Sequence, residues 1–250
     1  MPTRSLFLVL SLSAVGSLHA ADETKAARQI VDRAITAVGG AKRLASQQSL
    51  SGTSRGTIQL GDAQHNIENS WTVQGLDKLH WKSDLTAGDQ TLNIVLVLDG
   101  KRGWIQGNGQ KSSELKADLL TPLRQGFIGL RLVETLTPLL DRETKLAPLG
   151  ELKVDDTPTV GVKVTRKGMP EMDLYFDKKT HLPAKAEMRM TESGKVEATY
   201  TAFFTEYKKV AGQLVFTRLT VKRDDKIVLT MLRSNIESKA TATEGTFGEP

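Results

Sequence analysis

The sequence predicts a mainly β protein with helices, an α+β chain organised on one large curved antiparallel sheet. Three observations carry this prediction. Two long stretches, residues 50–106 and 144–237, alternate apolar and polar side chains between short turns rich in Gly and Asp. Residues 113–140, between them, change to a helical period, and an amphipathic helical pattern at residues 21–38 precedes the first stretch. No catalytic or metal motif of comparable strength is present, so the pattern describes a container before it describes a chemistry.

In chain order, residues 1–20 read as a secretory signal peptide: Arg4 supplies a positive start, residues 6–15 an apolar run, and Ala20 a small residue at the end. The apolar run falls short of the roughly 20 residues of a membrane span. Cleavage after Ala20 or Ala21 predicts an exported, periplasmic protein. In residues 21–38, Ala27, Ile30, Val31, Ala34, Ile35 and Val38 recur at helical spacing, Asp22 or Thr24 can cap the start, and Gly39-Gly40 supplies a left-handed stop. Strands are expected at 50–60, 66–73, 79–85, 91–98 and 102–106, joined by turns at Gly61-Asp62, Gly75-Leu76-Asp77, Ala87-Gly88-Asp89 and Asp99-Gly100. Connections this short make neighbours antiparallel. Val95 and Val97 oppose Leu96 and Leu98, which predicts a central strand covered on both faces.

Residues 113–140 predict two helices, one capped by Ser112 or Ser113 and one starting at Thr121-Pro122, closed by Pro138. Their apolar residues lie on much of the circumference. Seven further strands follow, at 145–149, 159–166, 171–177, 182–191, 196–207, 213–223 and 226–237. Among them the hairpin around Asp177-Lys178-Lys179-Thr180 is the clearest: Met172, Leu174 and Phe176 share one face, and Ala184, Ala186, Met188 and Met190 answer them on the return strand. About a dozen strands thus form a single domain at 21–240, and residues 241–250 are expected to fray.

Composition narrows the function. Of the 250 residues 39% are hydrophobic and 25% charged, as in ordinary globular proteins. A mean hydropathy of -0.28 argues against a polytopic membrane protein. With no cysteine there are no disulfides, no thiol catalysis and no lipid-modified cysteine tether. The formal charge of +5 and pI near 9.3 come from Lys and Arg interleaved with Asp and Glu, without a basic block, so nucleic acid is not an expected partner.

Four patterns resemble site chemistry and are better read as structure. Gly52-Thr53-Ser54-Arg55-Gly56 fits G-x-S-x-G, but the strand continues through Thr57-Ile58-Gln59-Leu60 where a nucleophile elbow needs a helix. His65, His80 and His181 lack metal-ligand or triad spacing. Asp155-Asp156 and Asp224-Asp225 suit turns. Gly107-Asn108-Gly109 suits a hairpin tip, not a phosphate loop. No catalytic residue, cofactor or metal is expected.

The order of leading helix ending in Val-Gly-Gly, first meander, helical insert and second meander is similar to bacterial periplasmic lipoprotein carriers of the LolA/LolB type and their outer-membrane lipoprotein-sorting relatives. The phrase Leu174-Tyr175-Phe176-Asp177-Lys178-Lys179-Thr180-His181-Leu182-Pro183-Ala184-Lys185 resembles a hairpin that recurs there, as does Val154-Asp155-Asp156-Thr157-Pro158 leading into Val160-Gly161-Val162. This resemblance, over roughly residues 25–237, implies a half-open β-barrel whose hollow is covered by helices and accepts acyl chains, with the insert as a helical lid. It implies lipid binding and transport of lipoprotein or lipid, with membrane-bound donor and acceptor proteins as partners of a monomeric carrier.

The candidate cavity residues are Trp71, Trp81, Ile94, Leu96, Leu174, Phe176, Met188, Phe204 and Met231 on strands, with Phe127 and Leu130 on the insert. They either line a lipid site or pack the helices onto the sheet as a closed core. A barrel of about a dozen strands is too wide to fill with its own strand side chains, which favours a cavity. Met172, Met188, Met190 and Met231 would suit an adaptable lining. The alternative function is a non-transporting envelope sensor or protein-interaction module on the same fold.

Overall fold

The computed structural model describes residues 14–46, 48–192 and 196–250. Residues 1–13 of the expected signal peptide and the Ser193-Gly194 turn lie outside them. The opening helix, α1 (Ala14–Val38), starts earlier than its apolar pattern, so the expected caps Asp22 and Thr24 fall inside it. It ends as expected: Gly39 and Gly40 have φ of 136° and 88°, and their amides donate to the carbonyls of Thr36 and Ile35. Ala27, Val31, Ala34, Ile35 and Val38 are buried. A short helix, α2 (Ala41–Ser46), follows and buries Leu44.

Among the described residues thirteen strands form one antiparallel sheet. The first meander is β1 (Ser49–Leu60), β2 (Ala63–Gln74), β3 (Lys78–Ala87), β4 (Gln90–Asp99), β5 (Arg102–Gly107) and β6 (Ser113–Glu114). The second is β7 (Thr144–Val154), β8 (Thr157–Arg166), β9 (Met172–Asp177), β10 (Pro183–Thr191), β11 (Glu197–Val210), β12 (Gln213–Arg223) and β13 (Lys226–Lys239). Short turns make every neighbour within a meander consecutive. The exception is β1 with β13, paired from Ser49 opposite Lys239 to Ile58 opposite Leu229, which joins the two meanders into one curved sheet. A Cβ at Gly56 would stand 1.9 Å from the Thr230 carbonyl oxygen, so only glycine fits this seam. The sheet does not close: β6 and β7 are its edges.

The chain passes from one edge to the other through α3 (Ala117–Thr135) and a 3-10 turn at Thr137–Leu140. The insert is thus one helix where two were expected, and Ser113 pairs in β6 instead of capping. Pro122 sits inside α3, one turn in, where its missing N–H costs a single bond. The largest buried cluster joins α1, α2, the second half of α3 and the inner faces of β7 to β12, including Val31, Leu132, Leu136, Val162, Leu174, Phe176 and Phe216. A small cluster around Leu50, Trp71 and Val73 covers the β1–β2 side.

Two further expectations change. β4 stands third from the β6 edge, not at the centre of the sheet. Its outer face is covered by the C-terminal segment: Phe247, in the stretch expected to fray, is 9% exposed and packs with Val97 and Trp104. Ser112 also donates to Glu249 at 2.6 Å. The hairpin at 177–180 forms as read, with Asp177 Oδ1 accepting from the amides of Lys179 and Thr180 at 2.7 and 2.8 Å.

Candidate ligand-binding cavity

Strand alternation puts one residue in two on the concave side, and α3 crosses that side without filling it. A hollow of about 570 Å³ opens between α3 and strands β9 to β13. Its helix wall runs from Leu119 and Leu123 through Phe127 and Leu130 to Val133, and its sheet wall includes Ala186, Ala202, Phe204, Leu219 and Val221. Met172, Met188, Met190 and Met231 all line it. Gly126 and Gly129 keep the helix low over these thioethers: a Cβ on Gly126 would lie 3.8 Å from Met190 Cε, and one on Gly129 only 2.6 Å from Met188 Cε. This volume lies within the range of small-molecule sites, and its apolar lining suits hydrocarbon.

A smaller hollow of about 170 Å³ adjoins it under the second half of α3. The two share Phe127, Leu130, Leu219, Leu229 and Met231 as walls. Trp71 and Trp81, directly paired across β2 and β3, line its far side together with Ile58, Val73 and Leu79.

Each hollow carries one ionic cluster. In the smaller, Glu134 accepts from Arg131 one helical turn earlier and, at 2.5 Å, from Arg233 on β13. Arg131 also donates to the Gly75 carbonyl at 2.9 Å. The Arg233 guanidinium carbon lies 4.3 Å from the centre of a Trp71 ring and 4.6 Å from that of Phe216, within cation–π range. Burial works against the Glu134 carboxylate, but attraction to Arg233 and Arg131 outweighs it and holds the carboxyl below its usual range. In the larger hollow, Glu192 accepts from Arg223 at 2.8 and 2.9 Å and from the Tyr200 hydroxyl. Those hydrogen bonds hold the Glu192 carboxyl down at about 2, and burial followed by the bond to Glu192 pushes Tyr200 up to about 12.

Of the candidate residues, Phe127, Leu130, Met188, Phe204 and Met231 line the larger hollow, and Trp71 and Trp81 the smaller. Leu174 and Phe176 do not reach either: both are fully buried in the main core, because the neighbouring strand and α-helical side chains close over this part of the sheet. Ile94 and Leu96 also lie off the cavity, Leu96 between Trp81 and Ile105 and Ile94 between Ser83 and Gly107, since α3 has its hollows over other strands. Sequence reasoning missed Arg131, Glu134 and Arg233. A signal existed: Arg131 and Glu134 interrupt an apolar helical run at a spacing of three, and Arg233 has the same strand parity as Leu229 and Met231.

The G-x-S-x-G pattern lies on a strand. Ser54 lies within β1, buried, accepting from Asn69 Nδ2 at 3.1 Å, with strand on both sides of it. Among the described residues no group of three or more His, Asp or Glu side chains is placed to hold a metal, and no described helix is long and apolar enough to cross a membrane. A depression of about 390 Å³ is lined by Arg55, Glu68, Lys82 and Asp84. It lies on the outer face, where alternating charges offer no convergent site.

No protein-family model matches the sequence, and no curated relative does at a significant level. Solved structures do match. A LolA superfamily protein from Nitrosomonas europaea is similar at a TM-score of 0.58 and 13% identity, over 88% of this chain and 96% of that one. A putative outer membrane lipoprotein-sorting protein domain from Vibrio parahaemolyticus is similar at 0.56 and 10%, over 92% and 97%. Identity this low speaks for the fold alone, and with the open thirteen-stranded sheet and its crossing helix it gives the result: this chain has a LolA-like fold.

Proposed function

We propose that this protein is an exported, periplasmic binder and carrier of an acyl-bearing molecule, lipid or lipoprotein, held between α3 and the sheet. The observation that carries the reading is the hollow of about 570 Å³, whose wall is apolar except at Glu192 and Tyr200. Each methylene moved there from water contributes about 0.8 kcal/mol, so a chain of modest length binds firmly without catalysis or a cofactor. Four methionines in the wall repack around chains of different shape. α3, which joins the two sheet edges and presents exposed Leu119 and Leu123 beside the opening, acts as the lid. The solved structures of like fold include one described as a lipoprotein-sorting domain, which agrees with this reading.

The test is mass spectrometry of an organic extract from protein purified without detergent, followed by uptake of added palmitate. A stoichiometric acyl-bearing molecule, or saturable uptake, is the expected result. Leu130→Glu, which puts a charge where both hollows meet, should abolish uptake while circular dichroism stays unchanged. A clean extract from folded protein that also takes up nothing would remove the proposal.

A further inference from the structure

The smaller hollow is not built for hydrocarbon alone. Arg131 and Arg233 face a single carboxylate there, and among the described residues no other charged side chain lines the space, so one positive charge remains uncompensated in the wall. Burying a charge without a partner is costly. Arg233 is 6% exposed, yet only its Nη1 makes hydrogen bonds among the described residues, to Glu134 and to the Phe216 carbonyl. Its Nε and Nη2 have none among the described residues, while the Trp71 and Phe216 rings lie against the guanidinium and limit its movement. A planar fork with free donors on one edge is the geometry that takes a carboxylate or phosphate in two parallel bonds.

The sheet extends this polarity sideways. In register, Arg233 lies opposite Ser54, Ser54 opposite Asn69, and Asn69 opposite Ser83, a polar row across four strands of an otherwise apolar inner wall. Asn69 Oδ1 and Ser83 Oγ in this row are buried with no hydrogen-bond partner among the described residues. Along α3, Leu119 at the opening is about 18 Å from Arg131 at 1.5 Å per residue. The space between them is the apolar hollow.

We propose that the smaller hollow holds the anionic head of a single-chain amphiphile, carboxylate or phosphate, which enters head first and lays its tail along the larger hollow toward Leu119. The inference rests on the acyl-binding reading and adds the head group and the direction of the chain. The guanidinium edge of Arg233 makes the contact, and Glu134 and Arg131 position it.

The test compares binding of palmitate, hexadecyl phosphate and hexadecanol to the full chain and to its Arg233→Gln and Arg233→Lys variants. An anionic probe should bind about tenfold or more tightly than the alcohol, and Arg233→Gln should erase most of that preference while alcohol binding persists. Preference for palmitate assigns a carboxylate head, and preference for hexadecyl phosphate a phosphate head. Equal binding of all three by the unaltered protein overturns the inference and leaves the acyl cavity standing; binding of none overturns the cavity itself. Orientation is read separately, without a variant. Palmitate brominated beside its carboxylate should quench tryptophan fluorescence more than palmitate brominated at its far end, because Trp71 and Trp81 line the head-group hollow. The reverse order overturns head-first binding.

Discussion

In the first half of α3, residues 117–126, Leu119 and Leu123 are 51% and 39% exposed; in the second half, residues 127–135, Arg131 and Glu134 are 1% and 8% exposed. Leucines stand out and charges stand in, along one continuous helix. The cause is what each half faces. The second half meets the main core, and there Arg131 and Arg233 share the one carboxylate of Glu134 on the wall of the smaller hollow. The first half spans the larger hollow, and its leucines edge an opening instead of a packed interface. The comparison separates two parts of the same inner surface: one where charges are buried beside the main core on the wall of the smaller hollow, and one where apolar side chains edge the opening of the larger hollow.

The largest expected effect attacks the buried half. Glu134→Gln leaves two guanidiniums facing each other in a buried wall and should cost about 3–5 kcal/mol of stability. That corresponds to a fall on the order of 10 °C in melting temperature by calorimetry. A change of less than a degree or two would mean that the ionic cluster is solvated and that the halves of α3 are not different in kind.

Acid probes the carboxylate of the larger hollow. Glu192 titrates at about 2 when folded, against 4.5 for an unperturbed group. A carboxyl whose folded value is depressed contributes stability that is present above the unfolded value and is lost as pH falls toward the folded one. Stability should therefore fall between about pH 4.5 and 2, and Glu192→Gln should flatten that limb in urea titrations at stepped pH while lowering stability at pH 7, where the ionised carboxylate no longer contributes.

Next in size are the two glycines of α3. Gly126→Ala has room, so it should gain up to about 1 kcal/mol of helix stability. Gly129→Ala drives Met188 into the larger hollow, so the same gain should be offset and palmitate uptake should weaken. Equal effects of the two substitutions on uptake would show that the methionine wall moves freely. Smallest is Leu119→Ser with Leu123→Ser, which should change stability by no more than about 0.5 kcal/mol per site while slowing lipid entry in stopped-flow uptake.

Much of the fold was legible because local rules set it. Period-two alternation located the strands, the Gly and Asp turns made them consecutive, and the Gly39-Gly40 stop ended α1 where the pattern did. The hairpin at Asp177 followed from side-chain capping of its own turn. Pro122 misled, since a proline one turn into a helix resembles a helix start when only the chain nearby is considered.

What the sequence by itself determined is which residues face inward: Leu174, Phe176, Met188, Phe204 and Met231 share the concave side as their parity requires. Parity is blind to position along a strand and across the sheet, so it could not distinguish Phe176 in the packed core from Met188 at the hollow. Only the tertiary structure decided that, through the long-range pairing of β1 with β13 and the path of α3 between the sheet edges. Those contacts bring Arg233 onto Glu134 across 99 residues of chain. The burial of a charge depends on neighbours that no local pattern names.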